Sequence, residues 1–155
     1  MPTFTLRRLV TLAAALCFLT LSRAAFAQEL LIGASVTGEP FAVAWADTSQ
    51  GLSLDEQRAK DVIAQFTGTD WAFFDDSRLV IGKNAEPILI LAFVGTEDQT
   101  FFLVHRREAT YQVDGKVLRD PETKEGFADI YLTTVAEDGK SSSTVFLEVD
   151  LKFTR

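Results

Sequence analysis

The sequence EPILILAFVG, Glu86 to Gly95, contains seven consecutive apolar residues, from Ile88 to Val94, with no polar residue between them. The run is too short for a membrane-spanning helix, which needs roughly 20 apolar residues. A short apolar run bounded by turn residues is typical of a strand that is buried on both faces. What covers the two faces of this strand therefore decides the architecture.

Two arrangements would bury such a strand. In the first, it is central, with a helix covering one face and the core of the sheet covering the other. In the second, one face lines a closed apolar cavity. We favour the first arrangement because protein interiors are normally filled at crystal-like density, and because the chain contains a helix that could cover the strand.

One amphipathic helix is predicted, at about residues 53–66. The segment Ser53-Leu54-Asp55-Glu56 fits a capping box, in which the Ser53 side chain accepts a backbone N–H bond and Glu56 reaches back to the cap. Gly68 follows, where a helix can end in the left-handed conformation. Apolar residues recur at helical spacing at Ala59, Val62, Ile63 and Phe66.

The rest of the chain after residue 27 predicts antiparallel strands separated by turns. Turns are expected at Thr37–Pro40 and at two Asp-Gly pairs, Asp114-Gly115 and Asp138-Gly139, because Asp and Gly tolerate the positive φ angles of tight hairpins. Residues 41–46 alternate bulky side chains with alanines, and the methyl face would let the helix approach closely. We therefore predict a mainly β (α+β) protein, an antiparallel curved sheet or small barrel-like meander with one packed helix near the mature N-terminus.

Residues 1–27 have the features of a secretory signal peptide. Two arginines precede an apolar run of 13 residues, Leu9 to Leu21, and a small-x-small exit ends at Ala27. The only cysteine, Cys17, lies inside this run and lacks the small preceding residue of a lipoprotein signal. We expect cleavage to leave residues 28–155 as a single disulfide-free β-rich domain, periplasmic or secreted, with no membrane span.

Signal cleavage would leave a strongly acidic domain. It would remove three of 15 basic residues and none of 22 acidic residues, so the net charge would change from −7 to −10. Such a charge disfavours nucleic acid and anionic lipid and attracts basic proteins. The partners expected from charge are therefore basic proteins.

No residue cluster in the sequence has a catalytic or metal-binding signature. His105 is the only histidine, and a lone histidine makes a poor metal site. Three acidic pairs, Asp75-Asp76, Glu97-Asp98 and Glu137-Asp138, fall in predicted turns, where Asp caps the backbone. We therefore predict no catalytic residues, no metal and no cofactor.

The function expected from these features is non-covalent binding outside the cytoplasm, without enzymatic activity. The bound species would be an apolar small molecule or a protein, because the aromatic-rich composition suits either an apolar pocket or an aromatic core. A pocket would be lined by Phe93, Phe101, Leu103 and His105. Two alternatives are open: a structural or interaction module of the cell envelope, and an enzyme with no recognisable motif.

The order of elements loosely resembles that of a lipocalin-type barrel. A helix is followed by Gly68-Thr69-Asp70-Trp71 and about eight antiparallel strands. Lipocalins carry Gly-x-Trp at the first strand, whereas here two residues separate Gly68 from Trp71, and a predicted hairpin precedes the helix. The resemblance implies a barrel and carries over no binding residues.

Overall fold

A computed structural model of the chain describes residues 29–95, 100–108 and 111–155, with the side chains of 104–108 and 111 outside the described part. The elements, in chain order, are β1 (Leu30–Thr48), β2 (Gly51–Leu54), α1 (Glu56–Phe66), β3 (Asp70–Phe74), β4 (Arg78–Lys83), β5 (Glu86–Gly95), β6 (Thr100–Glu108), β7 (Tyr111–Arg119), β8 (Glu125–Val135) and β9 (Ser142–Phe153).

Eight of these strands form a closed antiparallel barrel. Its strand order is β1-β3-β4-β5-β6-β7-β8-β9, and pairing between β9 and β1 closes it. The additional strand, β2, pairs with β1 and forms an edge of the described sheet. The predicted mainly β fold, an antiparallel barrel-like meander with one helix, is confirmed.

Strand β1 is continuous through the segment predicted to be a turn. Both of its halves pair with β9, with Thr37 opposite Asp150 and Phe41 opposite Glu148. Between these two pairs, three residues of β1 are therefore matched by one of β9, which is a β-bulge and not a reversal. Gly38, at φ +69°, takes the positive angle that the bulge requires. The prediction of a hairpin here was wrong because glycine and proline mark a bulge as readily as a turn.

The helix begins later than predicted and ends where predicted. Its N-cap is Asp55, whose carboxylate accepts a hydrogen bond from the Arg58 N–H at 3.0 Å. Ser53 belongs to β2 and lies opposite Ala46, so pairing with β1 takes the residue that the capping box assigned to the helix. Gly68, at φ +71°, follows the last turn in the left-handed conformation, as expected.

Helix α1 packs against β1 and, to a smaller extent, against β9. Its buried residues are Val62 and Phe66, and they join the same core cluster as Ala44 on the methyl face of β1. Ala44 lies opposite Val145, an inward residue of β9. The helix thus covers the inner face of the barrel wall at one end, and the expectation that it packs on the methyl face is confirmed.

The apolar run in β5 has one buried face and one exposed face. Leu91 and Phe93 point into the core, each 3% exposed, whereas Ile90 and Val94 on the other face are 42% and 55% exposed. The expectation that the helix covers β5 was wrong. Short connections to β2 and β3 hold α1 over β1, which leaves the outer face of β5 to solvent.

Asp114-Gly115 does not form a turn, because both residues lie inside β7. A Cβ on Gly115 would collide with the carbonyl oxygen of Asp129 on β8. Glycine is therefore needed here for close approach of two strands, a second common role of glycine in sheets. Asp138-Gly139, by contrast, lies in the turn between β8 and β9 as predicted. The turn is longer than the predicted tight hairpin, because β8 ends at Val135 and β9 begins at Ser142, and of the pair only Gly139 has a positive φ, +67°.

Candidate functional site

Three of the four predicted pocket residues come together inside the barrel. Phe93 and Leu103 are cross-strand partners on β5 and β6, and both are buried. Phe101, two residues before Leu103, is half-buried against the same core. The side chain of His105 lies outside the described part of the chain.

Aromatic rings pack against one another at this position. Phe73 stacks on Phe101 with ring centroids 4.6 Å apart and meets Phe93 edge-on at 5.3 Å. Phe93 and Phe101 make a further edge-on contact at 5.4 Å, and Phe153 lies 6.3 Å from Phe73. These separations are those of packed aromatic pairs, so the rings contact each other directly.

Several inward residues, including Phe73, are 0% exposed. A side chain that lined a void large enough for water would retain some solvent-accessible surface. Complete burial therefore means that neighbouring atoms occupy the space around these groups. The inward residues at 0% exposure are Phe73, Leu79, Ile81, Val117, Ala128, Ile130 and Leu147.

A second apolar surface lies outside the barrel, where β8, β9, β1 and β2 run side by side. Phe146 of β9 lies opposite Val43 on one side and Tyr131 on the other, and Trp45 lies opposite Leu54. Paired residues share a face of the sheet, so all of these point outward. We name this surface the outer aromatic face and define it as Phe41, Val43, Trp45, Leu52, Leu54, Tyr131 and Phe146.

The outer aromatic face is open to solvent. Leu54 is 72% exposed, Phe41 57% and Tyr131 47%, whereas Trp45 and Phe146 are half-buried among their neighbours. The rings of Tyr131 and Phe146 lie 5.1 Å apart. Contiguous exposed groups of this kind mark interaction sites more often than single exposed apolar residues do.

Helix α1 packs on the alanine side of β1, so the bulky side chains of β1 point outward. The backbone N–H of Asp55 donates to the Ala44 carbonyl at 2.8 Å, which ties the start of α1 to β1. The helix then occupies the methyl side of the strand. Phe41, Val43 and Trp45 alternate with the alanines, so they are left on the other side.

The outer aromatic face is bordered by carboxylates. Outward positions on β1 and β7–β9 carry two lysines, Lys116 and Lys152, against a larger set of acids. Those acids are Asp47, Asp114, Glu125, Asp129, Glu148 and Asp150, of which Glu125 forms an ion pair with Lys152 at 3.8 Å. The border therefore favours a partner with basic groups.

Glu148 lies between Phe41 and Asp129 in one cross-strand row. Partial desolvation raises the pKa of the Glu148 carboxyl above its ordinary value. Three further effects raise it too: the charge of Asp129, a hydrogen bond with the Asp129 side chain, and the charge of Asp150. Asp129 also has a buried carboxylate oxygen without a hydrogen-bond partner. Two carboxylates therefore lie side by side in this row, and Lys116 lies opposite Asp129 on its other side.

The acidic pairs that the structure describes have roles in turns. Asp138 caps the β8–β9 turn by accepting hydrogen bonds from the backbone N–H groups of Ser141 at 2.9 Å and Lys140 at 2.8 Å, and these bonds lower its pKa. Asp76 forms an ion pair with Arg78 at 3.6 Å. Glu97-Asp98 lies outside the described residues.

Within the described ranges, no group of three or more His, Cys, Asp or Glu side chains is arranged to hold a metal ion. The same part of the chain contains no helix with the length and apolarity needed to cross a membrane. Two surface depressions, of about 520 Å³ and about 510 Å³, are lined by residues that do not belong to the outer aromatic face. One borders α1 at Ile63, and the other borders the β7–β8 turn at Asp120.

Comparison with known proteins gives no match: no family model, no curated protein and no solved structure is similar to this chain. The geometry of the chain is therefore the basis for any functional proposal.

The sequence predictions missed the outer aromatic face. Its signal was present in the alternation of Phe41, Val43 and Trp45 with alanines, which marks a strand with one bulky side. Phe146 gave a weaker signal, as an aromatic residue on the otherwise polar side of β9. Neither pattern reveals on its own which side is outward or that the two strands are neighbours.

Proposed function

We propose that this protein is an exported, non-enzymatic binding module that holds a protein partner on its outer aromatic face. The observation that carries the proposal is the contiguity of the face across β8, β9, β1 and β2. Folding leaves these side chains exposed or half-buried, so much of their apolar area is available for association.

The size of the face suits the centre of a protein interface. Four strands at a spacing of about 4.8 Å, and residues on one side of a strand at about 7 Å intervals, give an area of a few hundred Å². Patches of about 300–600 Å² on monomers are often functional, and a standard interface buries about 800 Å² per partner. The carboxylates around the face would form the polar rim.

The alternative ligand, an apolar small molecule inside the barrel, has less support. It would need open space beside Phe93, Phe101 and Leu103, where aromatic rings contact each other. The complete burial of inward residues on β4, β7, β8 and β9 is further evidence against an interior ligand site. A ligand inside the barrel would have to displace these side chains, whereas a partner on the outer aromatic face would not.

Site-specific photo-cross-linking in cells of the source organism tests the proposal. The cross-linking residue p-benzoylphenylalanine would replace Phe41 or Tyr131 on the face and, as a control, Val94, an equally exposed outward residue of β5. We expect the same single protein adduct from both positions on the face and none from Val94.

Two results would contradict the proposal. One is the absence of adducts from both face positions, or adducts identical to those from Val94. The other is an apolar molecule retained in native mass spectrometry of the purified protein and lost in Phe101→Trp, a variant that fills interior space but leaves the outer face unchanged.

A further inference from the structure

Strand β2 has one paired side and one open side. Its four residues pair with β1 from Trp45 to Thr48, and all four are exposed. No described strand lies on its other side. Proteins usually protect open edges with charges, prolines or a covering element, because an edge is a template for another strand. Gly51-Leu52-Ser53-Leu54 contains neither a charge nor a proline.

The backbone groups on the open side can be assigned from alternation. The N–H of Asp55 donates to the Ala44 carbonyl, so residue 55 faces β1. Successive residues of a strand face alternate sides, so Ser53 also faces β1, whereas Leu52 and Leu54 direct their N–H and C=O groups to the open side. The side chains of these two leucines belong to the outer aromatic face. An added strand would therefore gain backbone hydrogen bonds and apolar contacts together.

Charge around β2 favours a basic segment. Asp47 lies opposite Leu52, and Asp55 and Glu56 follow the strand directly. Residues 47–58 contain these three acids and a single base, Arg58. A second copy of this chain would bring another acidic set to the same place, and the whole chain carries a net charge of −7.

We propose that the partner adds an extended, basic segment to the open side of β2, an inference that rests on the proposed function of the outer aromatic face. Residues of the segment opposite Leu52 and Leu54 carry the N–H groups that bond β2. Their side chains extend the outer aromatic face and are apolar. The alternate residues point to the side of α1 and are basic, near Asp55 and Glu56.

Synthetic peptides test this arrangement on the whole mature protein. The probe is a nine-residue peptide of alternating Lys and Val, and its charge-reversed twin replaces each Lys with Glu. Two further peptides carry N-methyl groups, one on the valines and one on the lysines. N-methyl-valine removes the donors that would bond β2, whereas N-methyl-lysine removes donors on the far edge only.

The two tryptophans provide the readout. Trp45 is half-buried on the outer aromatic face, whereas Trp71 is 1% exposed in the core. Acrylamide therefore quenches Trp45 selectively. Bound peptide should reduce this quenching, and isothermal titration calorimetry gives the affinity.

We expect the Lys/Val peptide to bind and to protect Trp45. The Glu/Val twin should bind about tenfold or more weakly, and the difference should shrink between about 10 mM and about 1 M salt, as the Debye length falls from about 30 Å to about 3 Å. N-methylation of the valines should weaken binding about tenfold, because two hydrogen bonds are lost. N-methylation of the lysines should have little effect.

Protein variants give a second test. Leu54→Lys should weaken binding of the Lys/Val peptide by charge repulsion at the edge, while Val94→Lys, at a similarly exposed outward site, should not. Both substitutions are at exposed positions, so both variants should fold.

The outcomes separate this inference from the proposed function. Equal binding of the two N-methylated peptides overturns strand addition but leaves the face as a binding surface. Absence of binding by every peptide up to about 1 mM, a weak affinity, also overturns it, whereas the cross-linking experiment judges the face independently. A dimer in analytical ultracentrifugation that Leu54→Lys dissociates would assign the edge to a second copy.

Discussion

The two sides of strand β9 carry apolar residues in different environments. Inward Val145 and Leu147 are completely or almost completely buried, whereas outward Phe146 is half-buried and its neighbour Glu148 is exposed. Inner apolar surface is removed from water by folding, while outer apolar surface on the same strand stays in contact with water. The difference shows that an apolar side chain in this barrel contributes either to folding or to association, according to the side on which it lies.

Mutations on the two sides of the barrel wall are therefore expected to have different effects. A substitution on the inner side should change the free energy of unfolding and leave binding unchanged in the molecules that fold. A substitution on the outer aromatic face should weaken binding and leave the free energy of unfolding nearly unchanged.

The largest effect is expected for Phe73→Ala. Its ring is fully buried and contacts Phe93, Phe101 and Phe153, so truncation leaves a cavity and should lower the free energy of unfolding by about 3–5 kcal/mol. Phe41→Ala, on the outer aromatic face, should cost less than about 1 kcal/mol. Urea unfolding followed by circular dichroism measures both, and similar losses would refute the expected difference between the two sides.

Gly115→Ala should destabilise by about 1–3 kcal/mol, because the added Cβ collides with the Asp129 carbonyl where β7 and β8 approach. The matched control is Gly33→Ala on β1, where the added Cβ would meet the Thr154 side chain at an ordinary 3.5 Å. The control should change stability by no more than about 0.5 kcal/mol. Equal effects in thermal unfolding would mean that Gly115 is not needed for strand approach.

Thr69→Val should lower the free energy of unfolding by about 1–3 kcal/mol. The buried Thr69 hydroxyl donates to the Phe66 carbonyl at 2.8 Å and accepts from the Trp71 Nε1–H at 3.1 Å, so valine leaves the buried Trp71 N–H without an acceptor. The Phe66 carbonyl keeps its bond from the Thr69 backbone N–H at 3.3 Å. Thr144→Val removes one long hydroxyl contact of 3.4 Å at a half-buried site. Unfolding in urea should separate the two variants.

The smallest effect is expected for Glu148→Gln, and it should depend on pH. Because the folded-state pKa of Glu148 is raised, the native state holds its proton more tightly than the unfolded state. Stability is therefore lost as the pH rises from the ordinary carboxyl pKa through the raised value. Glu148→Gln removes this loss, so the variant should be more stable than the wild type at neutral pH, and the gain should disappear in acid.

Asp138→Asn provides a control of opposite sign. Because the folded-state pKa of Asp138 is lowered, its carboxylate stabilises the folded state above the ordinary carboxyl pKa. This stabilisation is lost as the pH falls through the lowered value. The variant should be less stable than the wild type at neutral pH and should approach it in acid. Thermal unfolding between acid and neutral pH measures both variants, and parallel curves for the two would contradict these assignments.

Much of the local structure could be predicted from short-range patterns. The helix end at Gly68 and the hairpin turn at Asp138-Gly139 follow from the φ angles that glycine allows. The same rule failed at Gly38 and Gly115, because glycine also permits a bulge and a close strand contact. Which role applies depends on the neighbouring strand, and that strand is distant in the sequence.

The candidate site was less predictable than the fold. Phe93, Phe101 and Leu103 were predicted to line a pocket; they are neighbours on β5 and β6, where the two phenylalanine rings contact each other and Leu103 is buried. The outer aromatic face combines residues from β1, β2, β8 and β9, which are separated by up to about a hundred positions in the chain. Alternation shows which residues of one strand share a face, but no local pattern specifies how these strands are aligned.

The sequence alone determined that this protein would be mainly β with one helix, because strand alternation, helical spacing and turn residues are local preferences of the backbone. The tertiary structure decided which faces are inside. Closure of β9 onto β1 and the short connections of α1 placed the helix on the alanine side of β1. The bulky side of β1 and the outer side of β5 were left exposed, since one helix can cover only the strands that its connections reach.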